Sequence, residues 1–336
     1  MRRRNTIILA IVFAIIIIGV LTATVFFLLT QSTQRFIIEV HDSSQSLDGT
    51  TLFADLHDKT NPRIVEVNMN GEIVWEYILP DQLKDFTEPG MDVESLPNGN
   101  ILFLCPRLGA YEIQRDGTIV WSYLNANVSH DVDRLPNHNT LLCWGGGDTK
   151  DDAQAFEVHP NGTIVWKWLA RDYFNIPPYD TISSQGWTHA NAVTRMPNGH
   201  TLINLRNFNL TVEVNRTGHV IWQYDWSVFG RDPHEPEVLP NGNVLIAIQG
   251  DVPYQAVEIN RTTGQVVWQY GRENMIFTRD ADRLSNGNTL LVAIVNQRSK
   301  IFEVTSSGEI VWELAWGTMN SPVPGWFYKA ERIPSP

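Results

Sequence analysis

Six times along the chain the same five-residue phrase returns: GEIVW, GTIVW, GTIVW, GHVIW, GQVVW and GEIVW. Its tryptophans are Trp75, Trp121, Trp166, Trp222, Trp268 and Trp312, at intervals of 46, 45, 56, 46 and 44 residues. A second phrase alternates with it: LPNGN at 96–100, LPNHN at 135–139, MPNGH at 196–200, LPNGN at 239–243 and LSNGN at 284–288. Each is followed by an apolar run such as Ile101-Leu102-Phe103-Leu104. Then come a strand ending in Glu-Val or Glu-Ile, a turn such as Arg115-Asp116-Gly117, and the Trp strand. Asn-Gly and Asp-Gly between apolar runs favour tight hairpins, because such turns need residues that tolerate positive φ. Each unit therefore reads as four short strands, and a four-stranded repeat of about 40–45 residues is a propeller blade. The expected fold is an all-β, six-bladed β-propeller.

The two ends explain how the ring closes. Residues 51 to 77 supply only three strands (TLFADL, RIVEV and EIVWEY) and lack the innermost one with its Pro-Asn turn. The missing pattern stands at the far end, at Phe327–Pro334. The C-terminal strand is thus expected to complete blade one, which removes a free sheet edge.

The N-terminus obeys another rule. Residues 5–34 carry no charge, and 6–30 are almost wholly apolar (TIILAIVFAIIIIGVLTATVFFLLT). At 1.5 Å rise per residue a helix of that length spans a hydrocarbon core of about 30 Å. It exceeds the 7–15 residues typical of a secretory h-region, and Arg2, Arg3 and Arg4 favour a cytoplasmic N-terminus. The expectation is a single uncleaved transmembrane helix in residues 1–34, with a propeller domain over 35–336 held outside the cytoplasm; a long cleaved signal is the other option. The chain has 25 basic and 37 acidic residues, and only 22 basic ones remain beyond the three leading arginines. So acidic a body is a poor surface for nucleic acid, which excludes that partner class. Two cysteines, Cys105 and Cys143, cannot build a disulfide framework or a four-thiolate zinc site, and read as buried thiols.

The repeat supplies its own control. Features present in nearly every blade serve the scaffold. Two positions before the Leu or Met of the turn phrase stand Glu94, Asp133, Thr194, Glu237, Asp282 and Glu331. A carboxylate in five of six blades reads as a repeated structural partner. The blade tryptophans and the turn asparagines are scaffold by the same reasoning. Five positions before the same residue the blades differ: Met91, His130, Asn191, His234, Arg279 and Tyr328, with His189 added in blade four. Arg206 follows the turn of blade four with no arginine at that offset elsewhere. Inner-strand ends converge on the propeller axis, where ligands bind in concave pockets, and imidazoles with guanidiniums there make a local anion trap. Three histidines could also hold zinc, though the adjacent arginines make a cation unwelcome. The other histidines look ordinary: His138, His159, His200 and His219 in turns, His41 and His57 in an irregular first blade.

At these residues the chain resembles a family. Trp187-Thr188-His189-Ala190-Asn191 with Leu205-Arg206-Asn207, Ser129-His130-Asp131, and Pro233-His234 before LPNGNVLI are similar to the histidine strands of the bacterial arylsulfate sulfotransferases. The resemblance runs over roughly residues 50–336. It implies a six-bladed, PAPS-independent enzyme that moves a sulfuryl group from an aryl sulfate to a phenol, with no metal or organic cofactor. It implies His234 as nucleophile, with His130, His189, Asn191 and Arg206 holding the sulfate; Arg279 and Tyr328 join them as further substrate contacts. Ile248-Gln249-Gly250-Asp251 departs from the Asp-Asn-Gly stretch usual after the nucleophile strand. Two other readings stay open. Thr262-Thr263-Gly264 with Trp268 resembles a quinoprotein propeller segment, and a membrane-tethered ring could bind a ligand without chemistry.

Overall fold

The computed structural model describes residues 36–249, 253–317 and 327–335, and these form a six-bladed β-propeller. The apolar segment 6–30 lies outside the described residues, and among the described residues no helix is long and apolar enough to cross a membrane. Four central blades are plain four-stranded antiparallel meanders in chain order. Blade two holds Val93–Ser95, Ile101–Cys105, Gly109–Ile113 and Ile119–Leu124; blade four holds Ala190–Arg195, Thr201–Leu205, Leu210–Val214 and Val220–Asp225. Blades three and five repeat this arrangement over Val132–Trp168 and Arg231–Tyr270.

Blade one closes as expected. Ala330–Pro334 is its innermost strand and pairs antiparallel with Gly49–Asp55, from Phe53 opposite Ala330 to Gly49 opposite Pro334. Blade six brings a strand that the repeat did not announce. Phe36–His41 adds a fifth, outermost strand against Ile310–Trp316. His41 therefore belongs to blade six rather than to an irregular blade one. The added strand has a visible effect on burial. The apolar residue before the repeat tryptophan is half exposed in five blades (Val74, Val120, Val165, Ile221 and Val267, 46–55%), whereas Val311 beneath the extra strand is 0% exposed.

The core lies between neighbouring sheets, where Leu52 and Ile64 of blade one meet Ile101 and Phe103 of blade two. Polar devices then lock blade to blade. The indole N–H of Trp75, Trp121, Trp222, Trp268 and Trp312 donates to a turn carbonyl of the following blade, and Trp312 reaches round to Met69 of blade one. In blade three Trp168, not the repeat Trp166, fills this role by donating to Gly218. The inner carboxylates form a second ring of locks. Glu94, Glu237 and Glu331 accept the amides of Arg134, Arg283 and Ser95 in the next blade. Two residues earlier along the inner strand ends, Asp92, Asp131 and Asp280 accept those of Val132, Val193 and Ala330. A buried amide needs a partner, and in five of the six blades such a side chain supplies one to the next blade; blade four, with Ala192 and Thr194 at these positions, is the exception. Cys105 and Cys143 are both buried free thiols.

Candidate active site

One end of the axial channel opens into a cavity of about 520 Å³ lined by His130, His189, Arg206, Arg279, Ser129 and Arg107, among others. The imidazoles are held by backbone that runs against local preference. His130 and His189 have φ of +75° and +50°, and Asp232 before His234 has +53°. Left-handed backbone costs a non-glycine residue on the order of 1–3 kcal/mol, and such costs concentrate at functional sites. Asp148 fixes the blade-four entry: its carboxylate accepts the Thr188 hydroxyl at 2.8 Å and the His189 amide at 3.0 Å. Ser129 Oγ accepts the amides of Gly145 and Gly146, both at 3.0 Å, and so ties the glycine turn to the residue before His130. Gly90 gives Tyr328 its place, since a Cβ there would lie 2.3 Å from the tyrosine ring.

The hydrogen bonds assign the tautomers. His189 Nδ1 lies 2.9 Å from the Gln185 carbonyl, which can only accept, so the proton sits on Nδ1 and Nε2 keeps its lone pair. His130 Nε2 is 3.2 Å from that Nε2 and donates to it. In the same way His234 Nδ1–H donates to the Asp232 carbonyl at 2.8 Å, leaving Nε2 to accept from Arg279 Nη1 at 3.1 Å. Burial first, and the guanidiniums of Arg279 and Arg206 after it, push His234 well below the ordinary histidine range. Burial, His189 and Arg206 do the same to His130, while burial and Arg206 bring His189 down to about 4. All three rings are neutral at pH 7, so the cavity's positive charge rests on its arginines.

The predicted residues fall into two layers. His130, His189, Arg206 and Arg279 line the cavity. His234 is 2% exposed and sits behind Arg279, and the Tyr328 ring lies 6.2 Å from His130 and 6.4 Å from His234. The Tyr328 hydroxyl is buried and has no hydrogen-bond partner among the described residues. Asn191 lies behind this layer. Its amide donates to the Pro233 carbonyl at 2.9 Å and its oxygen accepts from Asn204 at 2.6 Å, so it holds the strand entry that carries His234. Arg206 reaches the Asp232 carboxylate at 3.4 Å, so Asp232 serves both partners, carbonyl to His234 and carboxylate to Arg206. The quinoprotein-like Thr262-Thr263-Gly264 is an exposed hairpin turn hydrogen-bonded to Asn260, on the outer part of blade five.

Three participants escaped sequence reasoning. Gln249, in the stretch that departs from the family pattern, places its amide nitrogen 3.0 Å from both ring nitrogens of His234. Asp232 contributes mainly through a carbonyl, which no residue type betrays. Lys329, next to Tyr328, is buried beneath the site, 3.3 Å from Asp92, 2.8 Å from Glu235 and in contact with Asp131. Its offset in the repeat, where four of the other five blades carry Asp or Glu, was the available signal.

Among solved structures, a Bacteroides caccae protein of unknown function superposes with a TM-score of 0.61 at 20% identity, covering 84% of this chain and 98% of that one. A streptogramin B lyase gives 0.56 at 13% identity (85% and 89%). A catalytically inactive virginiamycin B lyase from Staphylococcus aureus with quinupristin gives 0.53 at 12% (85% and 90%). At these identities the likeness is one of fold. No curated protein matches the chain significantly. Two family profiles do. That of the outer membrane protein assembly factor BamB matches residues 150–323, a stretch of repeated propeller blades. That of the arylsulfotransferases matches residues 37–225 and takes in His130, His189, Asn191 and Arg206, with His234 just beyond its end. By that match and by its six-bladed ring, the chain belongs to the arylsulfotransferase family.

Proposed function

We propose that the ring transfers a sulfuryl group from an aryl sulfate to a phenol through a sulfohistidine at His234. The observation that carries this reading is the state of His234: a neutral imidazole, its Nδ1–H anchored on the Asp232 carbonyl, its Nε2 lone pair turned toward a guanidinium. A neutral imidazole is a competent nucleophile, and a covalent intermediate splits one displacement into two. Arg279 donates to Nε2. The oxygens of a sulfate are stronger acceptors for a guanidinium than a neutral ring nitrogen is, so binding draws Arg279 off Nε2 and onto the substrate.

Nε2 then attacks sulfur as the bond to the aryl oxygen breaks. His234 keeps its Nδ1 proton, so the sulfonated ring is an imidazolium bearing SO3⁻. The aryl oxygen departs as a phenolate. The acceptor phenol then gives its proton to the lone pair of His189 Nε2 as its oxygen attacks the sulfur and the S–N bond breaks, which returns His234 to a neutral ring. His189 passes the proton to solvent, where the released phenolate takes one up. Arg206 and Arg279 face the sulfuryl oxygens throughout, the fixed-charge stabilisation on which such transfers rely. In this reading residues 6–30 anchor the ring to a membrane with the propeller outside the cytoplasm, an arrangement supported by the apolar length and leading arginines alone.

Donor alone should leave an adduct about 80 Da heavier by intact mass, as expected of a covalent sulfuryl intermediate. Arg206→Ala should lower kcat/KM for a chromogenic aryl sulfate by roughly 10²–10³-fold while the adduct still forms slowly. Neither turnover nor adduct across a panel of aryl sulfates would leave a binding ring rather than an enzyme.

A further inference from the structure

The cavity mouth carries a guanidinium that sulfuryl transfer does not use. Arg206 is answered by Asp232 and Arg279 by His234. Arg107 lines the same cavity, is exposed, and its side chain has no hydrogen bond or ion pair among the described residues. Glu88 is the one carboxylate among the lining residues, and Lys59 pairs with it at 3.1 Å. The Arg107 backbone is left-handed, with φ of +64°, a conformation that glycine or asparagine adopts more readily. Its amide donates to the Val128 carbonyl at 2.9 Å, which fixes this rim to the segment leading to His130. An arginine is thus held at a position that local preference does not favour, over a cavity whose other two guanidiniums already have partners.

We propose that the site takes aryl substrates carrying a second anionic group on the ring, a carboxylate or sulfo group, and that Arg107 receives it. The inference rests on the sulfuryl-transfer reading for its substrate, but its test does not depend on turnover. A cavity of about 520 Å³ lies within the range of pockets that enclose a substituted aromatic. A guanidinium meeting a carboxylate there forms charge-assisted, bidentate hydrogen bonds, and about tenfold in affinity is the expected scale.

Arylsulfonates make suitable probes, since their carbon–sulfur bond cannot transfer. Calorimetry on the full-length chain at fixed ionic strength would compare benzenesulfonate with 3- and 4-sulfobenzoate. The expected result is that at least one sulfobenzoate binds about tenfold more tightly than benzenesulfonate. Arg107→Asn, which suits the left-handed backbone, should erase that difference, and Arg107→Lys should keep part of it. Equal affinities in the wild type, a preference that survives Arg107→Asn, or no binding of any probe would each overturn the proposal. Absence of turnover with true aryl sulfates, beside an intact Arg107-dependent preference, would instead sink the transfer reading alone.

Discussion

Two cavities on the propeller axis are built on adjacent residues at or just before the starts of the same inner strands, yet burial drives their protons in opposite directions. The upper one is lined by His130 and Arg279, with His234 and Tyr328 buried behind them; the lower, of about 160 Å³, is lined by Asp131, Glu235, Asp280 and Lys329 with Asp92 and the blade carboxylates. In the upper cavity burial strips protons from the imidazoles and so keeps them neutral. In the lower one burial pushes Glu94 and Glu331 up to about 7, Asp280 to about 6, and Asp92, Asp133, Glu235 and Asp282 well above the carboxylate range. What differs is the charge that remains. Burial alone would lower the Lys329 ammonium, but Asp131, Asp92 and Glu235 outweigh it and hold it well above the usual lysine range. That cation is shared among three carboxylates and is locked. The arginines above face an open cavity whose one lining carboxylate, Glu88, is paired with Lys59, and only Arg206 is answered by a carboxylate, that of Asp232. The same desolvation thus leaves a shared cation below and neutral imidazoles beside guanidiniums above.

Removing residues 327–336 breaks both halves at once, because Tyr328 and Lys329 leave with the strand that closes blade one. The expected outcome is loss of the cooperative thermal transition, read by calorimetry; unaltered stability would show that the ring closes without Ala330–Pro334. His234→Ala sharpens the contrast by striking the upper half alone. Transfer and the sulfated adduct should vanish while the melting profile stays near that of the wild type, and retained activity would move the nucleophile to His130 or His189. Lys329→Met strikes the lower half. Leaving buried carboxylates without their cation is expected to cost about 3 kcal/mol, relieved in part by proton uptake, and should show as a stability loss that shrinks toward acid pH. Asp131→Asn in the same background should recover part of it.

The smallest effect is the pH profile, where the halves oppose one another. The histidines have depressed folded pKa values, so their contribution is complete above about 6.5 and is lost as pH falls toward about 4, the folded value of His189. The lower carboxylates have raised ones, so theirs is complete below about 4 and is lost as pH rises through 6 to 7, where Asp280, Glu94 and Glu331 ionise. Between about 4 and 6.5, the acid limb, the two trends therefore oppose and partly cancel, whereas above about 6.5, the alkaline limb, only the carboxylate loss remains and thermal stability should fall. Glu94→Gln is expected to flatten the alkaline limb by a few degrees, which thermal scans from pH 4 to 8 would show.

Much of this was legible in the chain itself, and the limits have physical causes. Asn-Gly turns and the GxIVW phrase report local hairpin geometry, so the six blades and the closing strand could be read directly. Comparing blades also separated scaffold from site, and Glu94, Glu237 and Glu331 do serve as blade-to-blade acceptors. Phe36–His41 escaped because a fifth strand follows no repeat; its pairing with Ile310–Trp316 is a long-range event. Asp232 and Gln249 escaped because one acts through its main chain and the other joins His234 by strand register. Asn191 shows the reverse, a polar residue at an inner-strand end that supports a neighbour instead of facing the cavity.

The seam where the ring shuts also sets an order of events. Each terminal strand belongs to the blade across the seam: Phe36–His41 completes the rim of blade six, and Ala330–Pro334 completes the hub of blade one. Blades two to five need only near neighbours in sequence, so they can form while synthesis is still under way. The hub of blade one must wait, because Gly49 finds its partner only when Pro334 has been made. Tyr328 and Lys329 arrive in that same final stretch. A nascent or truncated chain therefore holds the histidines without the aromatic and the cation that finish the axis, and competence comes to this ring as a single late event, with closure.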